Sequence, residues 1–350
     1  MWHVPGEGVR RQDDGDDGEP LTDRQRSRRR VRAHLPNPSR EQATAPRLRR
    51  LRRLTVKLED KVVFITGGSR GIGAEVARQV GAKGAKVFLA GLEPELMAQV
   101  CAEISTENAD SIELDVTDLP AVERAAAAAV ERFGRIDIVL ANAGIAPYGT
   151  VATIGRETFD RAMAVNVTGV WNTFNATLPY VTDTKGHVMS VCSVASFTPL
   201  GGLHAYTASK AAAESLTTAF AMEVAHRGVT VGSVHPSWID TDMVRDAETD
   251  LPTFVKIRKM LPWPLHSTTS VTECASAIVK GMEKRSARVF SPGSVELVYW
   301  SRSVLQSPRA VALMRMISND LIPQLEDEIR GLGRSLSERQ AEQVAIDDTP

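Results

Sequence analysis

Long apolar runs are missing from this chain. None approaches the roughly 18 residues needed to span a bilayer, and the start, Met1-Trp2-His3-Val4-Pro5, lacks the apolar segment of a secretory signal. Cysteine is scarce: Cys101, Cys192 and Cys274 are widely spaced among 350 residues and form no CxxC pair. Neither a disulfide framework nor a zinc site is indicated, no metal is expected, and a reducing cytoplasm suits the chain. Net charge is also nearly absent, at −1, so the chain as a whole does not point to a nucleic-acid partner. What is present is ordinary for a globular protein, with 43% hydrophobic and 24% charged residues.

The near-zero charge hides an imbalance. Residues 1–54 hold 14 Arg, no Lys and 8 acidic residues, whereas the remainder carries 28 basic and 35 acidic ones. This leader is rich in Arg, Pro and Asp, lacks hydrophobic periodicity and reads as disordered. Arg28-Arg29-Arg30 and Arg49-Arg50 would suit a tether to nucleic acid or membrane. A solvated tail, or residues added by an upstream start codon, is the plainer reading. The run Asp13-Asp14-Gly15-Asp16-Asp17 argues against a transit peptide.

From residue 57 short apolar runs alternate with helical patterns. Val62–Thr66 precedes a helix from Gly71, 86–90 one from about Glu95, and 111–114 one from Leu119. The run 136–141 leads to a long helix past Thr158; His187–Val191, a helix bearing Tyr206, and 230–234 follow. Such alternation implies βαβ units, and strands apolar throughout fit a sheet covered on both faces. The expected fold is α/β: a doubly wound parallel sheet of about seven strands.

Two motifs carry chemistry. The first strand runs directly into Thr66-Gly67-Gly68-Ser69-Arg70-Gly71-Ile72-Gly73. Glycine serves where the chain turns sharply and approaches a pyrophosphate, and the helix that follows offers free N–H groups to that anion. The second motif is Tyr206 and Lys210, one helical turn apart on one face, thirteen residues after Ser193. The ammonium would favour the phenolate and lower a phenol pKa of about 10. Such a phenol can exchange a proton with an alcohol oxygen while a nicotinamide carries the hydride.

With these residues the chain resembles a short-chain dehydrogenase/reductase of the compact, single-domain branch, from about residue 57 to 293. The resemblance implies a Rossmann-like catalytic domain over 55–293, preceded by the leader and followed by a helical extension and tail over 294–350. It implies a catalytic tetrad of Asn166, Ser193, Tyr206 and Lys210. Tyr206 would be the general acid/base and Lys210 would tune it and hold the nicotinamide ribose. Ser193 would stabilise charge on the substrate oxygen, and Asn166 would shape a helix and hold a relay water. Cofactor contacts are implied for Gly67, Ser69, Arg70, Gly71, Ile72 and Gly73, and for Asp115 and Val116 beside the adenine. Further contacts are implied for Asn142, Ala143 and Gly144, for Tyr206 and Lys210, and for Pro236, Ile239 and Thr241. Ser237 stands where the family has glycine.

The segment from Thr241 to about residue 266 would cap the substrate. Its apolar lip, Met260-Leu261-Pro262-Trp263-Pro264-Leu265, suits a hydrophobic alcohol or ketone. The cofactor is NAD or NADP. Gly91 stands in place of the acid that would select NAD, and Leu92 in place of the arginine that would select NADP. Arg70 tips the balance to NADP, with Glu93 pulling the other way. Beyond Glu296, apolar patches from Val298 to Ile317 are broken at Pro308. They read as helices packing on the domain or on a second subunit, with a segment lying on a membrane or closing over the active site as the alternative. From Gly331 the chain reads as polar and frayed.

The reading is an NAD(P)-dependent alcohol dehydrogenase or carbonyl reductase acting on a small molecule, homo-oligomeric by analogy. A nucleotide-sugar epimerase or dehydratase shares YxxxK but normally carries GxxGxxG. A non-catalytic dinucleotide-sensing protein would bind cofactor without turnover.

Overall fold

The computed structural model describes residues 55–345; the leader expected over 1–54 lies outside the described residues. The first half alternates strictly: β1 (Val62–Thr66), α1 (Gly71–Gly81), β2 (Lys86–Gly91), α2 (Pro94–Ile104), β3 (Ala109–Glu113), α3 (Leu119–Phe133) and β4 (Ile138–Ala141). Next come α4 (Arg156–Met163), a π-type turn (Ala164–Thr168), α5 (Gly169–Asp183), β5 (His187–Val191), α6 (His204–Val224) and β6 (Thr230–Pro236). The remainder is α7 (Asp242–Asp250), α8 (Pro252–Met260), α9 (Val271–Lys284), β7 (Arg288–Ser291), α10 (Val295–Leu305), α11 (Pro308–Leu332) and α12 (Glu338–Ala345).

Among the described residues, these seven strands form one parallel sheet in the order β3-β2-β1-β4-β5-β6-β7, and the two-residue strands Trp238–Ile239 and Thr268–Thr269 pair apart from it. This is a doubly wound, Rossmann-like fold. Alternation along β1 sends Val63 and Ile65 to one face, where Val76, Val80, Ile278 and Met282 cover them. Phe64 goes to the other, beneath Val122, Phe174 and Phe220. Each large side chain buried in these layers contributes about 1.5–3 kcal/mol. The strand order reverses between β1 and β4, so the turns that follow them open a crevice at the carboxyl ends of the strands.

Three features depart from the sequence reading. The long helix past Thr158 is two helices joined by the wider π-type turn, which carries the fully buried Asn166. Strand β3 starts at Ala109 rather than 111, because it is an edge strand whose polar Asp110 and Ser111 broke the apolar pattern. From Gly331 to Ala345 the described residues are ordered into structure rather than frayed. Gly333 ends α11 with φ +65°, and Ser335, Leu336 and Ser337 are buried before α12 begins. Among the described residues, no helix is long and apolar enough to cross a membrane.

Candidate active site

The glycine turn is built by close packing at the switch point. A Cβ on Gly73 would lie 2.2 Å from the Gly67 carbonyl oxygen, and one on Gly67 (φ +66°) 2.8 Å from Ala143 Cα. Asn142 fastens the two turns together. Its Nδ2 donates to the carbonyls of Thr66 (3.1 Å) and Gly67 (2.8 Å), and its N–H to Thr66 Oγ1 (3.1 Å). Gly71 (φ +54°) lies against Thr241, whose Cγ2 would be 3.4 Å from a Cβ built on it, and Ile72 packs on the core behind. The first turn of α1 has no side-chain cap and no acidic residue, so its amides are available to an anion. A cleft of about 310 Å³ runs from this turn past Asp115 and Val116 on one side and to Tyr206 on the other. These residues fit the pyrophosphate and ribose of a dinucleotide.

At the far end of the turn, Glu93 gathers its neighbours. Ser69 Oγ donates to its Oε2 at 2.6 Å, and Arg70 Nε to its Oε1 at 2.8 Å. Burial favours the neutral acid, but Arg70 and Ser69 hold the Glu93 carboxyl below its ordinary value. Arg70 also lies 3.5 Å from Asp242. Asp115 accepts from Thr117 N–H (2.8 Å) and from Arg161 Nη2 (2.6 Å). Arg161, on α4, lines the cleft as well. No motif signals it; only the fold brings it to Asp115.

The opposite end holds the four residues of the implied tetrad. Ser193 follows β5 and is 5% exposed, its Oγ accepting from Ala195 N–H at 3.1 Å. Behind it, His235 places Nδ1 3.4 Å from the Ser193 carbonyl and Nε2 2.9 Å from Ser233 Oγ. Burial pushes this imidazole down to about 4, so it is neutral at pH 7. Lys210 donates from Nζ to the Val191 carbonyl (2.9 Å) and lies 5.8 Å from the centre of the Tyr206 ring. Asn166 accepts from Ile145 N–H and donates to the Ile145 carbonyl and Ser209 Oγ, all at 2.9 Å. Gly144 lies between them: a Cβ there would be 2.9 Å from Asn166 Oδ1 and 3.1 Å from Lys210 Nζ.

The charge states correct one expectation. Burial raises the Tyr206 pKa, and its hydrogen bond with Ser193 only partly offsets this. Burial lowers that of Lys210. The ammonium is turned to the Val191 carbonyl and the low-dielectric surroundings penalise both charges, so the phenol here is protonated rather than acidified. A protonated phenol is the form that can donate a proton.

Pro236, Ile239 and Thr241 all line the cleft, with Ile239 buried to 3%. Ser237 has no positive φ, so a side chain is tolerated where the family has glycine. The apolar wall beyond Tyr206 comes from Leu203, Met243, Val244, Ala247 and Phe254. The expected lip does not form it: Met260 and Trp263, past the inward-facing Phe254, are 54% and 65% exposed and lie outside the cleft. Arg339, Gln340 and Gln343 of α12 line the cleft instead. Cys192 beside Ser193 is 1% exposed, and burial pushes its thiol up to about 11; the Cys274 thiol moves likewise, and that of Cys101 is also raised.

The short chain dehydrogenase family model matches residues 61–252. An uncharacterized oxidoreductase of Staphylococcus saprophyticus is 33% identical over 197 residues, 55% of this chain and 84% of that one. The meso-2,3-butanediol dehydrogenase of Serratia marcescens is 35% identical over 188 residues, 54% of this chain and 75% of its own. The crystal structure of levodione reductase superposes with a TM-score of 0.62 at 26% identity, covering 69% of this chain and all of that one. With glycine turn, switch-point crevice and family match coinciding on one stretch, this chain belongs to the short chain dehydrogenases.

Proposed function

We propose that this oxidoreductase interconverts a secondary alcohol and a ketone of largely apolar character, with Tyr206 as general acid/base. The observation that carries the reading is the convergence of Ser193, Tyr206, Lys210 and Asn166 at one end of the dinucleotide-sized cleft. A bound NAD or NADP would supply or accept the hydride. In reduction, the protonated Tyr206 hydroxyl, hydrogen-bonded with Ser193, donates its proton to the nascent alkoxide. The Ser193 hydroxyl stabilises charge growing on that oxygen. Lys210, held at the Val191 carbonyl, would hold the ribose hydroxyls of the bound cofactor and return the proton to Tyr206. Asn166 acts through others: it fixes the Ile145 backbone and, with Gly144, the place of the Lys210 ammonium. The wall of Leu203, Val244 and Phe254 favours an apolar substituent on the carbon being oxidised.

A preference for NADP would need Arg70 free to meet a 2′-phosphate. Arg70 is held by Glu93 and faces Asp242. An ionised Glu93 suits a 2′-hydroxyl and repels a phosphate, so the arrangement supports NAD. Exposed Trp171 on α5 and Met222 on α6 support a homo-oligomer, and three buried unpaired thiols support a reducing compartment. The test is a panel of alcohols and ketones followed by nicotinamide absorbance with each cofactor. Wild type is expected to turn over apolar secondary alcohols better with NAD, and Tyr206→Phe to bind dinucleotide while losing nearly all turnover. Undiminished turnover by Tyr206→Phe would overturn the mechanism, and a clear preference for NADP would overturn the cofactor assignment.

A further inference from the structure

The stretch past β7 is fastened to the catalytic domain by partly buried polar contacts. Arg334 forks onto Asp250 (Nη1–Oδ2 2.6 Å, Nη2–Oδ1 2.9 Å), and Tyr148 OH donates to the same carboxylate at 2.6 Å. The Tyr148 N–H donates to the Ser335 carbonyl at 2.9 Å. Glu328 accepts from the Thr253 N–H and hydroxyl at the start of α8, and Leu325 fills the space over Gly202. With Ser335, Leu336 and Ser337 buried, the start of α12 has a fixed position.

That position puts Arg339, Gln340 and Gln343 on the wall of the cleft. Arg339 pairs with Asp242 at the start of α7 and lies 3.7 Å from Asp246. Asp242 Oδ2 is shared with Arg70 of the glycine turn, whose other partner is Glu93, and Gln343 hydrogen-bonds Glu93. One polar chain thus links the glycine turn, the end of β2, α7 and α12. Arg70, Glu93, Asp242, Arg339 and Gln343, the members of that chain, all line the cleft beside the glycine turn. All of α12 lies beyond the stretch shared with the family, residues 61–252.

We propose that α12 is a covering element of the dinucleotide site, in which Arg339 exchanges part of its pairing with Asp242 and Asp246 for the diphosphate. This rests on the dinucleotide reading of the cleft. A diphosphate placed at the α1 amides adds negative charge beside Asp242, so the shared guanidinium is drawn to the ligand and α12 closes with it. The exchange is a redistribution of hydrogen bonds, with no covalent step. Arg339 is a binding residue supplied by an extension, and the ligand class it reads is a nucleoside diphosphate.

The test uses the full chain. Binding of NADH by nicotinamide fluorescence, and of ADP and adenosine by calorimetry, is compared between wild type and Arg339→Ala. The variant is expected to weaken NADH and ADP about tenfold or more, as loss of a charge-assisted hydrogen bond implies, with adenosine unchanged. Arg339→Lys, which keeps the charge, is expected to restore most of the loss for ADP. Hydrogen exchange of wild type gives a readout independent of how well a variant folds: NADH should slow exchange in residues 338–343. Equal NADH and ADP affinities in wild type and Arg339→Ala, or no protection of 338–343, would overturn the proposal while leaving the dinucleotide site intact. Wild type that binds neither NADH nor ADP would overturn the reading of the cleft itself, and this proposal with it.

Discussion

Replacing Asn166 with alanine strips a buried joint of its three hydrogen bonds. The Ile145 N–H and carbonyl, both bonded to the amide at 2.9 Å, are left in a region where Asn166 itself has 0% exposure. Each orphaned backbone group costs about 1–3 kcal/mol, and the vacated volume adds to that. The expected loss is about 3–6 kcal/mol, a large part of the roughly 5–15 kcal/mol typical of a domain. Asn166→Asp is more discriminating. One oxygen still accepts from Ile145 N–H, but the other meets the Ile145 carbonyl and repels it unless protonated. Burial and that repulsion raise the carboxyl pKa in the fold, so protonation favours the folded state. The penalty relative to wild type should therefore shrink as pH falls towards the unfolded value of about 4. Urea denaturation followed by circular dichroism measures both. An alanine loss below about 1 kcal/mol, or an aspartate penalty constant between about pH 8 and about pH 5, would refute the reasoning.

Gly73→Ala forces a Cβ to within 2.2 Å of a backbone oxygen, so the turn must shift and NADH affinity should fall about tenfold or more. Gly155→Ala, with nothing within 4 Å of the added atom, should bind as wild type. Equal affinity in both variants would contradict the packing described for the turn. Acid should destabilise the fold in a defined window. Burial lowers His187 to about 3 and His235 to about 4, so both stay neutral in the fold. The unfolded chain takes up these protons near pH 6.5, so stability is full above about 6.5 and lost as pH falls towards 4 and then 3. Each histidine contributes a slope of about 1.4 kcal/mol per pH unit. Urea midpoints independent of pH across that window would exclude it.

The sheet was legible because its strands are local and apolar. The glycine turn and the Tyr206–Lys210 pair were legible because their geometry is set within one turn of chain. Pairings set by tertiary distance were not. Arg161 reaches Asp115 from 46 residues away, and Arg334 reaches Tyr148 from 186. Neither side chain differs in sequence from any solvated arginine. The protonation of Tyr206 escaped for the same reason: spacing gives the distance to Lys210, but burial, a property of the whole fold, decides the sign. Helix α12 reads as a polar tail in sequence because its apolar contact is small, Ala341 beside the buried Leu336, and its other partners are charged residues on α7 and just past β2.

The three thiols lie beneath the surface, each less ready to ionise than a free cysteine. Alkylating reagents that need a thiolate will react slowly with all three while the fold is closed. Cys192, next to Ser193, then serves as a built-in clock: its labelling rate reports how often the reaction centre opens, and Cys101 and Cys274 time the outer layers in the same sample.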